Sequence, residues 1–234
     1  MSYSIIITYR DRESHLQTLL PRLATLFKNE DYEIIVAEQA DQGKFKQSFL
    51  NNIAATSATK DLLVFHDVDY YPTDNVSYHT TKDKPLYPVR QVIFLDEDNQ
   101  PLPLEKVPAG YRYFHQDVRN HSGGVFVLSK EIFNHIGGFN PLYSGWGKED
   151  EDTRERIKMA GYTWTRGDQG LFYALYHKPI HIPDNDPDWI NNNVVYQNYT
   201  QHLSIGSANC KADVDEYASD GNIRWLKISN MQVK

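Results

Sequence analysis

The sequence predicts an α/β fold, one domain built on a mostly parallel central sheet flanked by helices. Two observations predict it. Apolar strand-like runs alternate with helix-like stripes from Tyr3 to His66, the order that builds βαβ units. The polar groups suited to chemistry follow those runs, as Thr8 to Arg12 and Asp67 to Asp69. In open parallel sheets, ligands sit at the carboxyl ends of the strands.

Each element follows from its own pattern. Tyr3 to Thr8 is a β-branched apolar run, hence a buried strand. Glu13 to Phe27 carries Leu16, Leu19, Leu20, Leu23, Leu26 and Phe27 at helical spacing. Glu33 to Ala37 is a second strand, Lys44 to Ala58 a second helix, and Asp61 to His66 a third strand. From Tyr70 to Arg119 the pattern is less regular. Val89 to Leu95, a polar turn and a Pro-rich stretch suggest a hairpin or excursion rather than a new domain. Val125 to Leu128 is a strand leaving a glycine pair, and Lys130 to Ile136 a short helix. A loop with Gly137, Gly138 and Pro141 then reaches Gly145-Trp146-Gly147-Lys148 and four carboxylates, Glu149 to Asp152. Thr153 to Met159 reads as a helix closed by Gly161 at its C-terminal cap. Thr163 to Arg166 and Leu171 to Tyr176 look like late strands. In the polar tail, Asn191 to Leu203 suggests a helix and Ile223 to Ile228 a strand or a helix.

Composition narrows the function. With 234 residues, 40% hydrophobic and 24% charged, the chain has enough apolar content for one sizeable core. A net charge of −7 argues against nucleic acid, which calls for clustered Lys and Arg. No apolar run approaches the roughly 18–20 residues of a membrane span, and the N-terminus lacks a signal-peptide pattern. A lone Cys210 excludes an internal disulfide and fits a reducing, cytoplasmic setting. Sixteen tyrosines and four tryptophans suit sugar stacking as well as plain packing.

The candidate site residues each have an ordinary reading beside the functional one. Asp67 and Asp69 end an apolar strand, where residues i and i+2 point the same way. Two such carboxylates suit a hard divalent cation holding a diphosphate, or simply form a polar strand end. Arg10 and Arg12 follow a neighbouring strand, and guanidinium forks match phosphate oxygens. Phe45 opens the second helix, to face a flat base or to pack. Glu149 to Asp152 sit at a helix start, which favours negative charge, with Asp150–Arg154 and Asp152–Arg156 as ordinary i,i+4 pairs. Trp146 between two glycines tips that balance, because it puts an aromatic platform on a loop beside the carboxylates. His177 ends a strand-like run, where a histidine is more often an ordinary polar residue than a ligand.

Together these stretches resemble the β-1,4-galactosyltransferase family. The resemblance rests on Ile7-Thr-Tyr-Arg-Asp-Arg-Glu-Ser-His-Leu16, Glu38-Gln-Ala40 with Phe45, Phe65-His-Asp-Val-Asp-Tyr-Tyr-Pro72, Ser122-Gly-Gly-Val125 and Gly145-Trp-Gly-Lys-Glu-Asp-Glu-Asp152. It runs from about residue 5 to residue 177. The resemblance implies a GT-A-like fold with a Rossmann-like nucleotide-binding half, a UDP-sugar donor, Mn²⁺ or another divalent cation, and inversion at the anomeric carbon. By position it implies that Arg10 and Arg12 hold the diphosphate and that Phe45 packs near the uridine. It gives Asp67 to the ribose, Asp69 and His177 to the metal, and Gly124 and Glu149 to the donor sugar. Trp146 closes over the substrates, and Asp150 is the base. His121 falls where a residue tunes galactose against N-acetylgalactosamine. The chain departs from the family at Thr8, where a proline is usual, and at Ala174, where many members carry a methionine ligand. The family's disulfide cysteines and membrane anchor are also absent from this sequence, which suggests a soluble relative of microbial or viral type.

The expectation is one domain, 1–234, with a nucleotide-sugar-binding half (1–119), an acceptor and catalytic half (120–181) and a C-terminal tail of unclear role (182–234). The expected partners are a UDP-sugar and a glycan or glycoconjugate acceptor, with Gal or GalNAc transferred. One rival is another nucleotide-diphosphate transferase, which would need a Gly-rich phosphate loop where Tyr9-Arg10-Asp11-Arg12 stands. The other is a non-catalytic sugar- or UDP-binding relative.

Overall fold

The computed structural model describes residues 1–107, 123–178 and 186–234. The alternating start of the chain folds as expected. β1 (Ser2–Tyr9), α1 (Glu13–Leu26), β2 (Asp31–Gln39), α2 (Gln47–Ser57) and β3 (Leu62–His66) follow one another. β1 lies between the other two and pairs with both in parallel, Ser2 opposite Asp31 and Tyr3 opposite Leu62. Alternation along β1 assigns the helices to opposite faces. Ile5 and Ile7 pack with Leu16, Leu19 and Leu23 of α1. Ile6 packs with Leu50, Ala54 and Ala55 of α2. Each such leucine or isoleucine contributes about 1.5–3 kcal/mol by leaving water.

The rest of the chain adds β4 (Tyr70–Pro72), β5 (Leu86–Tyr87), β6 (Gln91–Phe94), β7 (Val125–Ser129), α3 (Lys130–His135) and α4 (Glu149–Met159). β8 (Thr165–Arg166), β9 (Leu171–Ala174), α5 (Pro187–Gln197), β10 (Cys210–Asp220) and β11 (Ile223–Val233) complete it. The large sheet runs β10-β11-β2-β1-β3-β7-β5-β8, and a small sheet runs β4-β9-β6. Its heart, β11-β2-β1-β3, is parallel, while β7 runs against β3. None of the described helices is long and apolar enough to cross a membrane.

The tail is part of the sheet. β11 lies parallel to β2, Ile223 opposite Ile34, and buries Leu226 and Ile228. The stretch that read as strand or helix is therefore a strand. Its hairpin partner β10 has no sequence signal, because nearly all its residues face water and no apolar face is needed. Arg224 ties the added strand down, donating from Nη1 to Glu33 Oε2 at 3.2 Å and to the Ser57 carbonyl at 3.0 Å. Glu33 also accepts from Ser4 Oγ (2.7 Å), Thr59 N (2.6 Å) and Thr59 Oγ1 (2.8 Å).

α4 starts earlier than the pattern indicated, at Glu149 rather than Thr153, so the four carboxylates form its first turn. Its end is as expected. Gly161, at φ 86°, donates to Lys158 O, and Tyr162 donates to Ile157 O, a Schellman closure.

Candidate active site

The site lies where β1, β2 and β3 end. β3 stops at His66, and the Tyr70 amide donates to Asp67 O at 3.2 Å to close a turn. Asp67 and Asp69 thus sit in a turn rather than on one side of an extended strand. The turn brings their carboxylates close enough to act on each other's charge. The Asp67 amide donates to Gly124 O at 2.8 Å, and Gln47 Nε2 donates to Asp67 Oδ1 at 2.7 Å. Gly124 has φ 86°, and a Cβ there would lie 2.3 Å from the Tyr70 ring. Only glycine fits that contact.

Asp69 meets His177 through the small sheet. β4 and β9 pair with Tyr70 opposite Ala174, and the Leu175 amide donates to Asp69 O at 2.8 Å. This register leaves His177 Nε2 3.1 Å from Asp69 Oδ2. Desolvation pushes the Asp69 carboxyl up, but the His177 hydrogen bond and charge outweigh it and hold Asp69 below its usual range.

The start of α4 completes the acidic cluster. Lys148, with φ 78°, turns the chain so that Glu149 and Asp150 open the helix. Burial first, then Asp69 and Glu149, raises Asp67 well above the carboxylate range. Burial first, then Glu149, Asp67 and Glu151, does the same to Asp150. Glu149 is raised to about 7, chiefly by burial. Its Oε2 is buried and has no protein partner. The neighbouring Asp152 is structural, because Arg156 Nε donates to its Oδ2 at 2.6 Å in the buried interior. For Arg154, the expected partner Asp150 gives way to the adjacent Glu155, at 3.5 Å.

Arg10 is held against the loop that carries Phe45. Its Nη1 donates to the carbonyls of Asp41 (3.2 Å) and Gly43 (2.5 Å), and its guanidinium lies 5.5 Å over the Phe45 ring. It thereby braces that loop, while its Nε lies 4.0 Å from Asp11 Oδ2. The buried Gln39, which sequence reasoning missed, holds the same loop. Its Nε2 donates to Asp41 Oδ1 and Lys44 O, and its Oε1 accepts from the Lys46 amide. Arg12 acts on the charge of His177, and among the described residues its guanidinium has no hydrogen-bond or ion-pair partner.

Trp146 is 41% exposed on a loop that α5 holds from behind. The buried Asn192 side chain donates to Ser144 O (3.0 Å) and Trp146 O (3.1 Å). Asp188 fills the space beside Gly145, and Trp189 fills that beside Gly147, where a Cβ would lie 2.6 Å from the indole. The Trp146 and Trp189 rings lie 5.2 Å apart, and Lys148 Nζ sits 5.1 Å over Trp189. The loop also joins the Phe45 side, since Gly145 N donates to Phe45 O at 2.8 Å and Lys44 pairs with Asp188. Sequence reasoning named Trp146 and missed these supports, which come from the unread tail. His121 lies outside the described residues.

Among the described residues, no group of three His, Cys, Asp or Glu side chains is disposed to hold a metal. Asp69 and His177 fit a divalent cation as a pair. Nδ1 of His177 has the Lys178 carbonyl as its acceptor at 3.0 Å, so in the neutral ring Nε2 carries the lone pair. That lone pair faces a carboxylate, an arrangement that a proton or a cation must bridge. The repulsion among Asp67, Glu149 and Asp150 favours a cation in the same place.

Known proteins resemble this chain in sequence and in fold. A model of the N-terminal region of glycosyl transferase group 7 matches residues 1–82, and a model described as the N-terminal domain of galactosyltransferase matches residues 109–178. Human β-1,4-galactosyltransferase 4 is 32% identical over 182 residues, which is 74% of this chain and 48% of the relative. Pig β-1,4-galactosyltransferase 5 is 33% identical over 183 residues, 74% of this chain and 43% of the relative. The chain thus spans about half the length of the curated relatives it matches. Among solved structures, the catalytic domain of Drosophila β1,4-galactosyltransferase 7 in complex with xylobiose superposes with a TM-score of 0.72 at 22% identity, covering 100% of this chain and 94% of that one. A mutant of the same enzyme in complex with manganese, UDP-Gal and xylobiose superposes at 0.65 and 22% identity, with the same coverage. The fold is the GT-A arrangement expected from the resemblance. The two models cover most of the chain and include Arg12, Asp67, Asp69, Glu149, Asp150 and His177. On that ground the chain belongs to the β-1,4-galactosyltransferase family.

Proposed function

We propose that this chain is an inverting, divalent-cation-dependent glycosyltransferase. It moves a galactose-type sugar, Gal or GalNAc, from a UDP-sugar to a hydroxyl of a glycan acceptor. The observation that carries this reading is the meeting of two acidic pairs from distant parts of the chain. Asp67, which shares its turn with Asp69, lies within electrostatic reach of Glu149 and Asp150 at the start of α4. Family membership and a structural neighbour whose complex contains manganese and UDP-Gal support it.

The residues divide the work. Phe45 offers a ring to the uridine, and Arg12 offers an uncommitted guanidinium to the diphosphate. Asp67 faces the ribose. Asp69 and His177 hold the cation, which when bound supplies Lewis-acid stabilisation of the charge on the departing diphosphate. Glu149 Oε2, buried without a partner, accepts from donor-sugar hydroxyls. Asp150 takes the proton from the acceptor hydroxyl as its oxygen bonds to the anomeric carbon and the bond to UDP breaks. Burial and neighbouring carboxylates strengthen Asp150 as a base, and a well-placed base contributes about 10²–10⁴-fold. A single base with no carboxylate nucleophile fits single displacement, hence inversion. Trp146 covers the reacting sugars.

A binding-only relative is the second reading, favoured by the lack of a third protein cation ligand among the described residues. UDP release from a panel of UDP-sugars, with and without Mn²⁺, separates the two. Mn²⁺-dependent release from UDP-Gal or UDP-GalNAc is the expected result. Binding of UDP without any release, with acceptor sugars present, would leave the binding-only reading standing.

A further inference from the structure

The cation pair has a support on α1, the histidine of the Ile7–Leu16 stretch, to which the sequence assigned no role. His15 Nε2 lies 2.9 Å from the carbonyl of Tyr176, the residue just before His177. A carbonyl only accepts, so Nε2 carries the proton and donates. The His15 and His177 rings meet edge-on, with centroids 6.4 Å apart. The other ring nitrogen, Nδ1, is buried and has no protein partner. His15 also acts on the charge of Asp69. The bond ties α1, which carries His15, to the segment that leads from β9 into His177, and β9 in turn pairs with β4, which follows Asp69.

The bond matters because His177 sits past the end of β9. The ladder stops at Ala174, and Leu175 makes the last bond to Asp69 O. Nothing in the sheet fixes the peptide of Tyr176. The hydrogen bond from His15 fixes it, and so sets where the next side chain leaves the backbone. Groups that orient a ligating histidine typically change metal affinity by about 10–100-fold when removed.

We infer that His15 is a positioning residue of the cation site, holding the Tyr176 carbonyl so that His177 faces Asp69. This rests on the cation reading proposed above for Asp69 and His177. The test is Mn²⁺ affinity in the presence of UDP, read from the paramagnetic resonance signal of free Mn²⁺, for wild type, His15→Phe, His15→Asn and His15→Gln. Gln places its amide nitrogen near the position of Nε2 and keeps the donor, whereas Asn is too short to reach. His15→Phe and His15→Asn should bind Mn²⁺ about 10-fold or more weakly, and His15→Gln should stay within about 3-fold of wild type. If His15→Phe does not fold, the contrast between Asn and Gln carries the result. Melting temperature is measured alongside. A variant that melts earlier yet binds Mn²⁺ as wild type does would show that His15 only stabilises the fold, and the inference would be overturned. Equal affinity in all variants overturns it as well. A wild-type protein that binds no Mn²⁺ removes the cation reading itself, and this inference with it.

Discussion

Asp150 and Glu149 are adjacent, about 100° apart around the helix, so one acceptor hydroxyl cannot meet both. Asp150→Asn keeps size and removes basicity. Its kcat should fall by about 10²-fold or more while donor affinity holds. Glu149→Gln should weaken donor binding as well as rate. Near-normal turnover in both variants would reduce the two acids to helix-start charges, each contributing about 0.3–1 kcal/mol. The raised carboxyl of Asp150 adds a second expectation. A group whose folded pKa lies above its unfolded value costs stability once pH passes through both. Metal-free Asp150→Asn should therefore melt at or above wild type near neutral pH, and a lower melting temperature would contradict the mutual repulsion. Asp69→Asn should weaken Mn²⁺-dependent UDP binding several-fold by calorimetry; unchanged binding would rule Asp69 out as a ligand. These acids were legible because each stands in a local motif. The contacts of Arg10 were not, because the carbonyls it meets belong to a loop whose path no spacing reveals.

The Gly145-Trp146-Gly147 segment was legible as an unusual loop, but the reason for its glycines was not. Both have positive φ, and both give up their Cβ space to side chains of α5, far along the chain. Contacts between distant segments leave no periodic trace in either one. α5 itself was expected as a helix over Asn191 to Leu203. It forms over Pro187–Gln197 because Asp186 caps it, accepting from the amides of Asp188 and Trp189, with proline at the first position. Asn192 is the link from this helix to the Trp146 loop. Asn192→Ala removes the hydrogen bonds that Asn192 donates to two loop carbonyls, a cost of about 1–3 kcal/mol. The expected outcome is a raised acceptor KM and a lowered kcat, with UDP affinity by calorimetry within about 3-fold of wild type. A variant with normal acceptor kinetics would show that the loop holds its place without α5.

At the scale of the whole molecule, the parallel core β1-β2-β3 was readable from apolar runs, whereas the extension of the sheet by the tail was not. β11 reaches β2 only after the chain has made every other element, and its polar partner β10 carries no apolar pattern. Beside its ladder with β2, the group around Glu33 ties this late strand to the first half of the chain. Desolvation alone pushes the Glu33 carboxyl up, but hydrogen bonds from Ser4, Thr59 and Arg224 overcome it and hold Glu33 below its ordinary 4.5. A depressed folded pKa contributes stability that is fully present above the unfolded value and is lost as pH falls through the folded value. Glu33→Gln keeps the shape and removes the charge that Arg224 pairs with. Near pH 7 the variant should be less stable by about 1.5–3 kcal/mol, the range for a hydrogen bond to a charged group, or roughly 5 °C in melting temperature for a chain of this size. Below the ordinary 4.5 the gap should close progressively, because wild-type Glu33 takes up a proton and loses the same interaction. The measurement is thermal unfolding of both proteins from pH 7 down to pH 3. A gap that stays constant across that range would mean that Glu33 supports the late strand by shape alone, and that the charge pairing of Arg224 with β2 adds nothing to the docking of the tail.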